Sequence, residues 1–279
     1  MRVALTGSDG MLGSDIQRVF NQDVDLVNFT LKDFDITDLD ATALRIREAS
    51  PDYLIHSAAY TDVDGCEDDP EKALLINGIG TRNIVMACED IKCPVIYIST
   101  DYVFDGTKGA PYSEWDSPNP INQYGVSKLL GEHFVMALTN RFYIVRTSWL
   151  YGRNGNNFVD TISRLLSERD EIEVVNDQVG SPTFTGDLGV KLKELIGRGY
   201  GIYHITNSSH CSWYEFAVEI AKIRPGKAKI NPTTTDRFQR AARRPLYSVL
   251  DNTVLRLDRG GELRHWKEAL KDYLGNESS

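Results

Sequence analysis

The chain has 279 residues and a formal net charge of −9, with 41% hydrophobic and 25% charged residues. This length can bury a sizeable core, as one large domain or as a domain with a smaller lobe. The negative charge argues against a nucleic-acid or anionic-membrane partner. Because no apolar run approaches ~18 residues and no signal-peptide pattern opens the sequence, we expect a soluble, cytoplasmic protein. The cysteines form no metal-type cluster, which predicts free thiols in a reducing compartment.

The amino-terminal stretch reads as a strand, a glycine-rich turn and the start of a helix. An apolar strand over residues 2–6 leads into Gly7-Ser8-Asp9-Gly10-Met11-Leu12-Gly13, and the helix that follows has one apolar face. Gly7 allows a tight turn, Gly10 lets backbone N–H groups approach a pyrophosphate, and Gly13 permits close packing of helix on strand. The position of the turn, directly after a first apolar strand, favours dinucleotide binding over a flexible loop.

Two further strands are expected over residues 25–29 and 52–56. No acidic residue ends the first of them to hold a ribose 2′-hydroxyl, and Lys32 lies close by, which favours NADPH over NADH. Small residues follow the second, so a cofactor can lie against the backbone there. We interpret His56 as a hydrogen-bonded core histidine and not as a catalyst.

Hydroxyl side chains follow the apolar run of residues 94–98, where Ser99 and Thr100 end a buried strand. The carboxyl edge of a parallel sheet is where ligands of open α/β folds bind. Tyr124 and Lys128, further along the chain, stand on one face of a helix. An ammonium beside a phenol lowers the phenol's pKa from ~10, which would let it pass a proton at neutral pH. The pattern predicts the acid/base centre of a carbonyl-reducing enzyme, with an exposed helical Tyr–Lys pair as the alternative.

Beyond these motifs the alternation of strands and helices continues and then loosens. A strand over residues 142–146 ends before Trp149, whose indole could stack on a ligand ring or pack in the core. We expect an α/β fold, with a Rossmann-type doubly wound parallel sheet and a smaller C-terminal substrate-binding lobe. The predicted NAD(P)-binding domain spans 1–152 with returning segments near 171–206, and 153–279 forms mainly the substrate-binding lobe.

The most basic part of the chain holds Arg237, Arg240, Arg243 and Arg244. Guanidinium groups match phosphate geometry, so this cluster could clamp a diphosphate. A solvated helix face is the alternative. The pattern by itself leaves both interpretations open, although such a cluster stands out in a chain of net charge −9.

The spacing Gly-x-x-Gly-x-x-Gly, together with Tyr-x-x-x-Lys, resembles the extended short-chain dehydrogenase/reductase family over nearly the whole chain. The resemblance implies that Thr100, Tyr124 and Lys128 form the catalytic trio. It places Asp35-Ile36 at the adenine and Asn77 near the active site. The implied cofactor-binding residues are Gly7, Asp9, Gly10, Met11, Leu12, Asp35, Ile36, Ala58, Ala59, Tyr60, Ser99, Tyr124 and Lys128.

Longer strings narrow the resemblance to the reductases of dTDP-linked 4-keto-6-deoxy sugars. These strings are residues 59–64, 99–106, 177–183 and 244–248. The implied reaction is reduction of the C4 ketone of dTDP-4-dehydro-L-rhamnose by NADPH, with NADH as the alternative cofactor. The implied substrate-binding residues are Val63, Thr100, Asp101, Tyr102, Trp149 and Arg244. Some similar reductases pair through a divalent metal, and Asp15 lies where such a ligand could come from. One carboxylate makes no site, so no metal ligands are assigned, and both Mg²⁺ and a homodimer are left open.

Three other functions share parts of this pattern. A sugar-nucleotide 4,6-dehydratase needs a carboxylate pair beside the threonine, but here Asp101 is followed by Tyr102 and not by Glu. A 4-epimerase would retain NAD and consume no cofactor. A non-catalytic NADP-binding subunit, like the regulatory partner of methionine adenosyltransferase, descends from the same reductases, and the intact Thr100, Tyr124 and Lys128 speak against it.

Overall fold

A computed structural model of the chain describes residues 1–21, 24–258 and 260–275. Its strands are β1 (Arg2–Thr6), β2 (Asp25–Phe29), β3 (Tyr53–His56), β4 (Val95–Thr100), β5 (Phe142–Thr147), β6 (Leu150–Tyr151), β7 (Glu171–Val175), β8 (Val179–Gly180), β9 (Thr183–Phe184), β10 (Gly201–His204), β11 (Asn207–Ser208), β12 (Cys211–Ser212), β13 (Lys229–Thr233) and β14 (Leu263–His265). Its α-helices are α1 (Met11–Phe20), α2 (Leu39–Ala49), α3 (Val63–Asp68), α4 (Pro70–Ala73), α5 (Thr81–Asp90), α6 (Gln123–Leu138), α7 (Phe158–Glu168), α8 (Thr185–Leu195), α9 (Trp213–Ile223), α10 (Thr253–Leu257) and α11 (Trp266–Gly275). A π-helical segment, Leu74–Gly80, joins α4 to α5, and 3₁₀ turns occupy Asp101–Val103 and Thr235–Arg237. Among the helices of these residues, none has the length and apolar character needed to span a membrane.

Six strands form one parallel sheet in the order β2-β1-β3-β4-β5-β10. The chain leaves β1 for β2 on one side and returns to β3 on the other, so the winding direction reverses between β1 and β3. Ligands of open α/β sheets bind at the carboxyl edge of such a switch point. Every residue of β4 is buried, as expected for a strand covered on both faces. The predicted Rossmann-type parallel sheet is confirmed.

Helices cover both faces of this sheet. On one face α1 packs against α8, and their apolar side chains share a cluster with alternate residues of the strands; the helical members include Leu12, Ile16, Phe20, Leu188 and Leu192. The other face is covered by α2, α5 and α6, whose buried residues include Ile46, Ile84, Val85 and Val135. The alternating strand residues meet these two clusters separately, which is the doubly wound arrangement predicted above.

A further apolar cluster lies outside the sheet and draws mainly on α7, α9 and α11. Its buried residues include Val159, Ile162, Phe216, Ile220 and Leu270. Part of the segment 171–206 belongs with it, because β7 pairs with β13 in a separate two-stranded sheet. The rest of that segment returns to the central sheet, where α8 packs on α1 and β10 pairs with β5.

Two buried histidines are held neutral inside the fold. The His56 ring nitrogens lie 2.8 Å from the Thr6 hydroxyl and 3.1 Å from the Thr81 hydroxyl, which confirms its interpretation as a hydrogen-bonded core histidine. The His204 Nδ1 lies 3.0 Å from the carbonyl oxygen of Tyr112. Burial lowers the pKa of both imidazoles to about 3. Both side chains therefore stay uncharged at neutral pH.

These histidines predict a loss of stability in acid. Below pH ~6.5 the unfolded chain binds protons that the native His56 and His204 exclude until pH about 3. Above pH ~6.5 the two histidines should therefore leave the free energy of unfolding unchanged. Between pH ~6.5 and about 3 that free energy should fall as the pH drops. Each imidazole adds a slope of about 1.4 kcal/mol per pH unit. Thermal melts between pH 7.5 and 5 measure this, and His204→Gln should flatten the curve by one such slope.

Candidate active site

A cleft of about 750 Å³ runs along the carboxyl edge of the central sheet. All of the predicted cofactor residues line it: Gly7, Asp9, Gly10, Met11, Leu12, Asp35, Ile36, Ala58, Ala59, Tyr60, Ser99, Tyr124 and Lys128. Of the predicted substrate residues, Val63, Thr100, Asp101, Tyr102 and Trp149 line it as well, whereas Arg244 does not. The fold thus gathers into one cleft residues that are widely separated in sequence.

The glycine-rich turn shapes one end of this cleft. Gly7 has φ +68°, and a Cβ there would lie 2.8 Å from Ala58 Cα, so neither the conformation nor the space suits a side chain. Gly10 is the N-cap of α1 and supplies no side-chain cap. The first N–H groups of α1 are consequently left for an anion, which the helix dipole also attracts.

The neighbouring end of the cleft is formed by residues at and after the end of β2. Phe29, Thr30 and Leu31 line it together with Asp35. The Asp33 carboxylate turns back into its own loop, where it accepts hydrogen bonds from the Thr30 N–H at 2.8 Å and the Thr30 hydroxyl at 2.9 Å. Those bonds lower the pKa of Asp33. No other acidic residue follows β2 before residue 35, so this end can accept a ribose phosphate.

Asn77 holds the wall of the cleft to the helix that carries Tyr124. It lies in the π-helical segment, fully buried, and its amide both accepts from the Tyr60 N–H at 2.8 Å and donates to the Tyr60 carbonyl at 3.0 Å. The same amide donates to the Ser127 hydroxyl at 2.9 Å. Asn77 therefore positions residue 60 against α6, and single-turn π segments often occur at such functional positions.

Thr100, Tyr124 and Lys128 meet at the inner end of the cleft. Thr100 ends β4, and its hydroxyl donates to Asp101 Oδ1 at 3.1 Å and accepts from the Tyr102 N–H at 3.2 Å. Tyr124 lies in the first turn of α6, with Lys128 one turn further on the same face. Close approach of the helix depends on Gly125, because a Cβ there would lie 2.9 Å from the Tyr102 carbonyl carbon. The predicted trio is thus assembled by a strand end and a helix start.

The electrostatics of this corner differ from the sequence prediction. Burial, followed by the charge of Asp101, raises the pKa of Tyr124 instead of lowering it. The Lys128 ammonium lies over the Tyr97 ring, 4.2 Å from its centroid, and burial lowers its own pKa to about 7. Burial likewise raises the pKa of Asp101 to about 7. The prediction that Lys128 makes Tyr124 acidic was wrong for this structure, because desolvation of the phenolate is the largest effect on the pKa of Tyr124 and raises it.

The Trp149 indole is stacked on a second tryptophan that the sequence analysis did not identify. Trp213, the first residue of α9, lies parallel to it with ring centroids 3.5 Å apart and an interplanar angle of 5°. Trp149 has φ +48°, and a Cβ at Gly180 would lie 2.6 Å from its Nε1. Both indoles line the cleft. No local motif marks Trp213, since its position depends on packing across 64 residues of sequence.

Arg244 is engaged by a carboxylate. Its Nη2 donates to Asp64 Oδ2 at 2.9 Å, and Asp64 also accepts from the Ala242 N–H at 3.0 Å. This pairing holds the pKa of Asp64 well below its usual range. Arg240 lies 3.4 Å from the same carboxylate. The structure thus joins part of the arginine cluster to α3 through Asp64.

Asp15 does not suit a divalent cation. Its side chain is 2% exposed and accepts hydrogen bonds from the Thr185 hydroxyl and from Arg18 Nε. The Arg18 guanidinium, 3.1 Å away, would repel a metal ion. Within the described ranges, no three histidine, cysteine or acidic side chains come together as metal ligands.

The whole chain, residues 1–279, matches the family described as the RmlD substrate binding domain. The spore coat polysaccharide biosynthesis protein SpsK of Bacillus subtilis is 40% identical over 279 residues, which cover all of this chain and 98% of that protein. A dTDP-4-dehydrorhamnose reductase from Clostridium acetobutylicum is 43% identical in its crystal structure, with a TM-score of 0.97 and full coverage of both chains.

The dTDP-4-dehydrorhamnose reductase of Bacillus anthracis, solved in complex with NADP, is also 43% identical, with a TM-score of 0.96 over 99% of both chains. The aligned regions include the glycine-rich turn, the trio Thr100, Tyr124 and Lys128, and the apolar cluster of α7, α9 and α11. The chain therefore belongs to the RmlD family, the group of extended short-chain reductases that includes the dTDP-4-dehydrorhamnose reductases.

Proposed function

We propose that this enzyme reduces the C4 ketone of dTDP-4-dehydro-L-rhamnose with NADPH and releases dTDP-L-rhamnose. The observation that carries the proposal is the meeting of Thr100, Tyr124 and Lys128 in a cleft that begins at a glycine-rich turn. Family membership supports the substrate, and the NADP held by the Bacillus anthracis reductase supports the cofactor.

The cofactor residues have separate tasks in this proposal. The turn from Gly7 to Gly10 and the start of α1 take the diphosphate. Asp35 and Ile36 border the adenine, and Lys128 holds the nicotinamide ribose. When bound, NADPH supplies the hydride that adds to C4 of the sugar. Residues 1–152 and the returning strand β10 would then serve the cofactor, and 153–279 mainly the sugar nucleotide.

The protein's own part in the reaction is to supply a proton and to stabilise charge. As hydride adds to C4, the ketone oxygen becomes an alkoxide. Tyr124 donates its phenolic proton to that oxygen, and the Thr100 hydroxyl hydrogen-bonds it. The raised pKa of Tyr124 keeps the phenol protonated at neutral pH, so the acid form is always present. Lys128, when charged, stabilises the phenolate left behind.

A coupled assay tests the proposal directly. Purified enzyme, NADPH and dTDP-4-dehydro-L-rhamnose should give stoichiometric loss of nicotinamide absorbance and one equivalent of dTDP-L-rhamnose. A 4-epimerase would convert sugar without consuming NADPH, and a non-catalytic subunit would bind NADPH without converting any 4-keto sugar nucleotide. The resemblance also leads us to propose a homodimer, which sedimentation would detect. The composition leads us to propose a cytoplasmic location, which cell fractionation would test.

Cofactor choice gives a second prediction. Lys32 is exposed beside the end of β2, and the carboxylate of the adjacent Asp33 is bound within its own loop by Thr30. Lys32→Ala should raise KM for NADPH about fivefold, because an exposed ion pair contributes about 1 kcal/mol. KM for NADH should stay unchanged. Lys92→Ala, which removes an equally exposed lysine beyond α5, is the matched control. Equal effects on the two cofactors would contradict a 2′-phosphate contact.

A further inference from the structure

A buried acid lies one helical turn beyond Lys128. Glu132 is fully buried in α6, and its Oε1 accepts hydrogen bonds from the Ser99 hydroxyl at 2.6 Å and from Arg146 Nε at 2.9 Å. Its Oε2 accepts from Arg146 Nη2 at 2.7 Å. Arg146 is itself only 2% exposed. The reduction as described above gives this carboxylate no task.

Stability alone does not account for such a pair. Removing two charges from water costs several kcal/mol each, and replacing a buried ion pair by apolar residues is often neutral or stabilising. The guanidinium also has an unusual setting, since Arg146 lies over the Phe104 ring at 5.1 Å and its Nη1 lies 3.5 Å from the His204 ring. A buried charge kept at this cost, beside a reaction centre, suggests a role in the reaction.

The position of Glu132 connects it to two members of the catalytic trio, Thr100 and Lys128. Ser99, whose hydroxyl it binds, directly precedes Thr100 in β4. In the sheet register Ser99 lies opposite Arg146, so the carboxylate bridges the ends of β4 and β5. Lys128 lies four residues earlier on the same helix, which puts the two side chains on one face.

The charge of Glu132 acts on Lys128. The Tyr97 ring of β4 lies 4.2 Å from the Lys128 ammonium, and the neutral His56 of β3 and Glu132 of the same helix interact with its charge. Burial lowers the pKa of Lys128 to about 7, and the Glu132 carboxylate opposes that shift. Glu132, which is ion-paired with Arg146, is the one of these groups whose charge favours the ammonium.

We propose that Glu132 is a positioning residue for the reduction, holding Lys128 as an ammonium and, through Ser99, holding Thr100 beside Tyr124. The inference rests on the proposed function for its chemistry. The effect of Glu132 on the charge of Lys128 does not depend on the proposed reaction, because the charge of Lys128 acts on cofactor binding as well. Loss of the carboxylate should make Lys128 lose its proton at a lower pH.

Two variants separate charge from shape. Glu132→Gln keeps the size and loses the charge, whereas Glu132→Asp keeps the charge and loses the size. For wild type and both variants, NADPH affinity and kcat are measured from pH 5.5 to 9. In both profiles the decrease at alkaline pH, the alkaline limb, should shift to a pH at least about one unit lower in Glu132→Gln. In Glu132→Asp it should stay near the wild-type pH. Limbs that coincide in all three proteins would overturn the proposal.

A paired replacement guards against a folding failure. If Glu132→Gln leaves Arg146 too costly to bury, Glu132→Met/Arg146→Met removes both charges and should restore a cooperative melt. The limb must still move down in that variant if the carboxylate holds Lys128 charged, and an unmoved limb would overturn the inference. NADPH binding needs no sugar nucleotide. A shifted binding limb in an enzyme that reduces no 4-keto sugar would uphold the Glu132–Lys128 coupling and refute the proposed function instead.

Discussion

Replacing Tyr124 with phenylalanine should lower kcat for ketone reduction by about 10²–10⁴-fold, the usual contribution of a positioned proton donor. The half-buried ring meets Tyr102 edge-to-face, with centroids 5.9 Å apart, so phenylalanine keeps that packing and removes only the hydroxyl. NADPH affinity should therefore change little. Stopped-flow NADPH oxidation gives kcat, and fluorescence titration gives the affinity.

Tyr203→Phe is the matched control, since it removes a phenol hydroxyl that donates at 2.6 Å to the Gly199 carbonyl on the far edge of the sheet. It should leave kcat unchanged. Near-normal turnover in Tyr124→Phe would mean that another group supplies the proton. Asp101 is the group to examine next, because burial raises its pKa to about 7 beside Thr100.

The parts of the site that could be predicted from the sequence are those that one local segment determines. Gly7 adopts φ +68° in a turn that its neighbouring glycines already indicate. Thr100 ends a buried strand that the apolar run before it predicts. Tyr124 and Lys128 share a helix face by spacing alone. Such features depend on a few consecutive residues, which is why the residues predicted to bind the cofactor all line one cleft.

The parts that could not be predicted depend on contacts between distant residues. The Asp64–Arg244 pair spans 180 residues, and nothing near Arg244 in sequence indicates that a carboxylate engages it. Trp213 stacks on Trp149 only through long-range packing, in which α9 contacts α7, β7 and β13. The pKa of Tyr124 belongs to the same class, because it depends on burial by the whole site and not on the neighbouring lysine.

The Ser99–Glu132 hydrogen bond combines a feature that local sequence determines with one that depends on distant contacts. Glu132 stands on the helix face that the Tyr124–Lys128 spacing defines, so its direction could have been read from the sequence. Its partner Arg146 lies on β5, and only the sheet register places it opposite Ser99. A charged residue at helical spacing from the lysine of the predicted trio, in a segment rich in apolar residues, is the signal that would have identified it.

The second large effect is expected at Gly13, where the first turn of α1 rests on the glycine-rich turn. In Gly13→Ala the new Cβ would lie 2.8 Å from Ser8 Cα and closer still to the Gly7 carbonyl oxygen. Both neighbours are backbone atoms and cannot rotate away, so α1 must shift outward. We expect a loss of about 1–3 kcal/mol in the free energy of unfolding and at least about tenfold weaker NADPH binding.

Gly189→Ala is the matched control on the helix that packs against α1. There a Cβ would meet Val19 Cγ2 at 3.4 Å, an ordinary contact, and alanine is the better helix former. That variant should melt at or above the wild-type temperature and bind NADPH normally. If Gly13→Ala also bound NADPH normally, the start of α1 would not be the diphosphate site, because the displaced N–H groups of its first turn could no longer be aimed at the same anion.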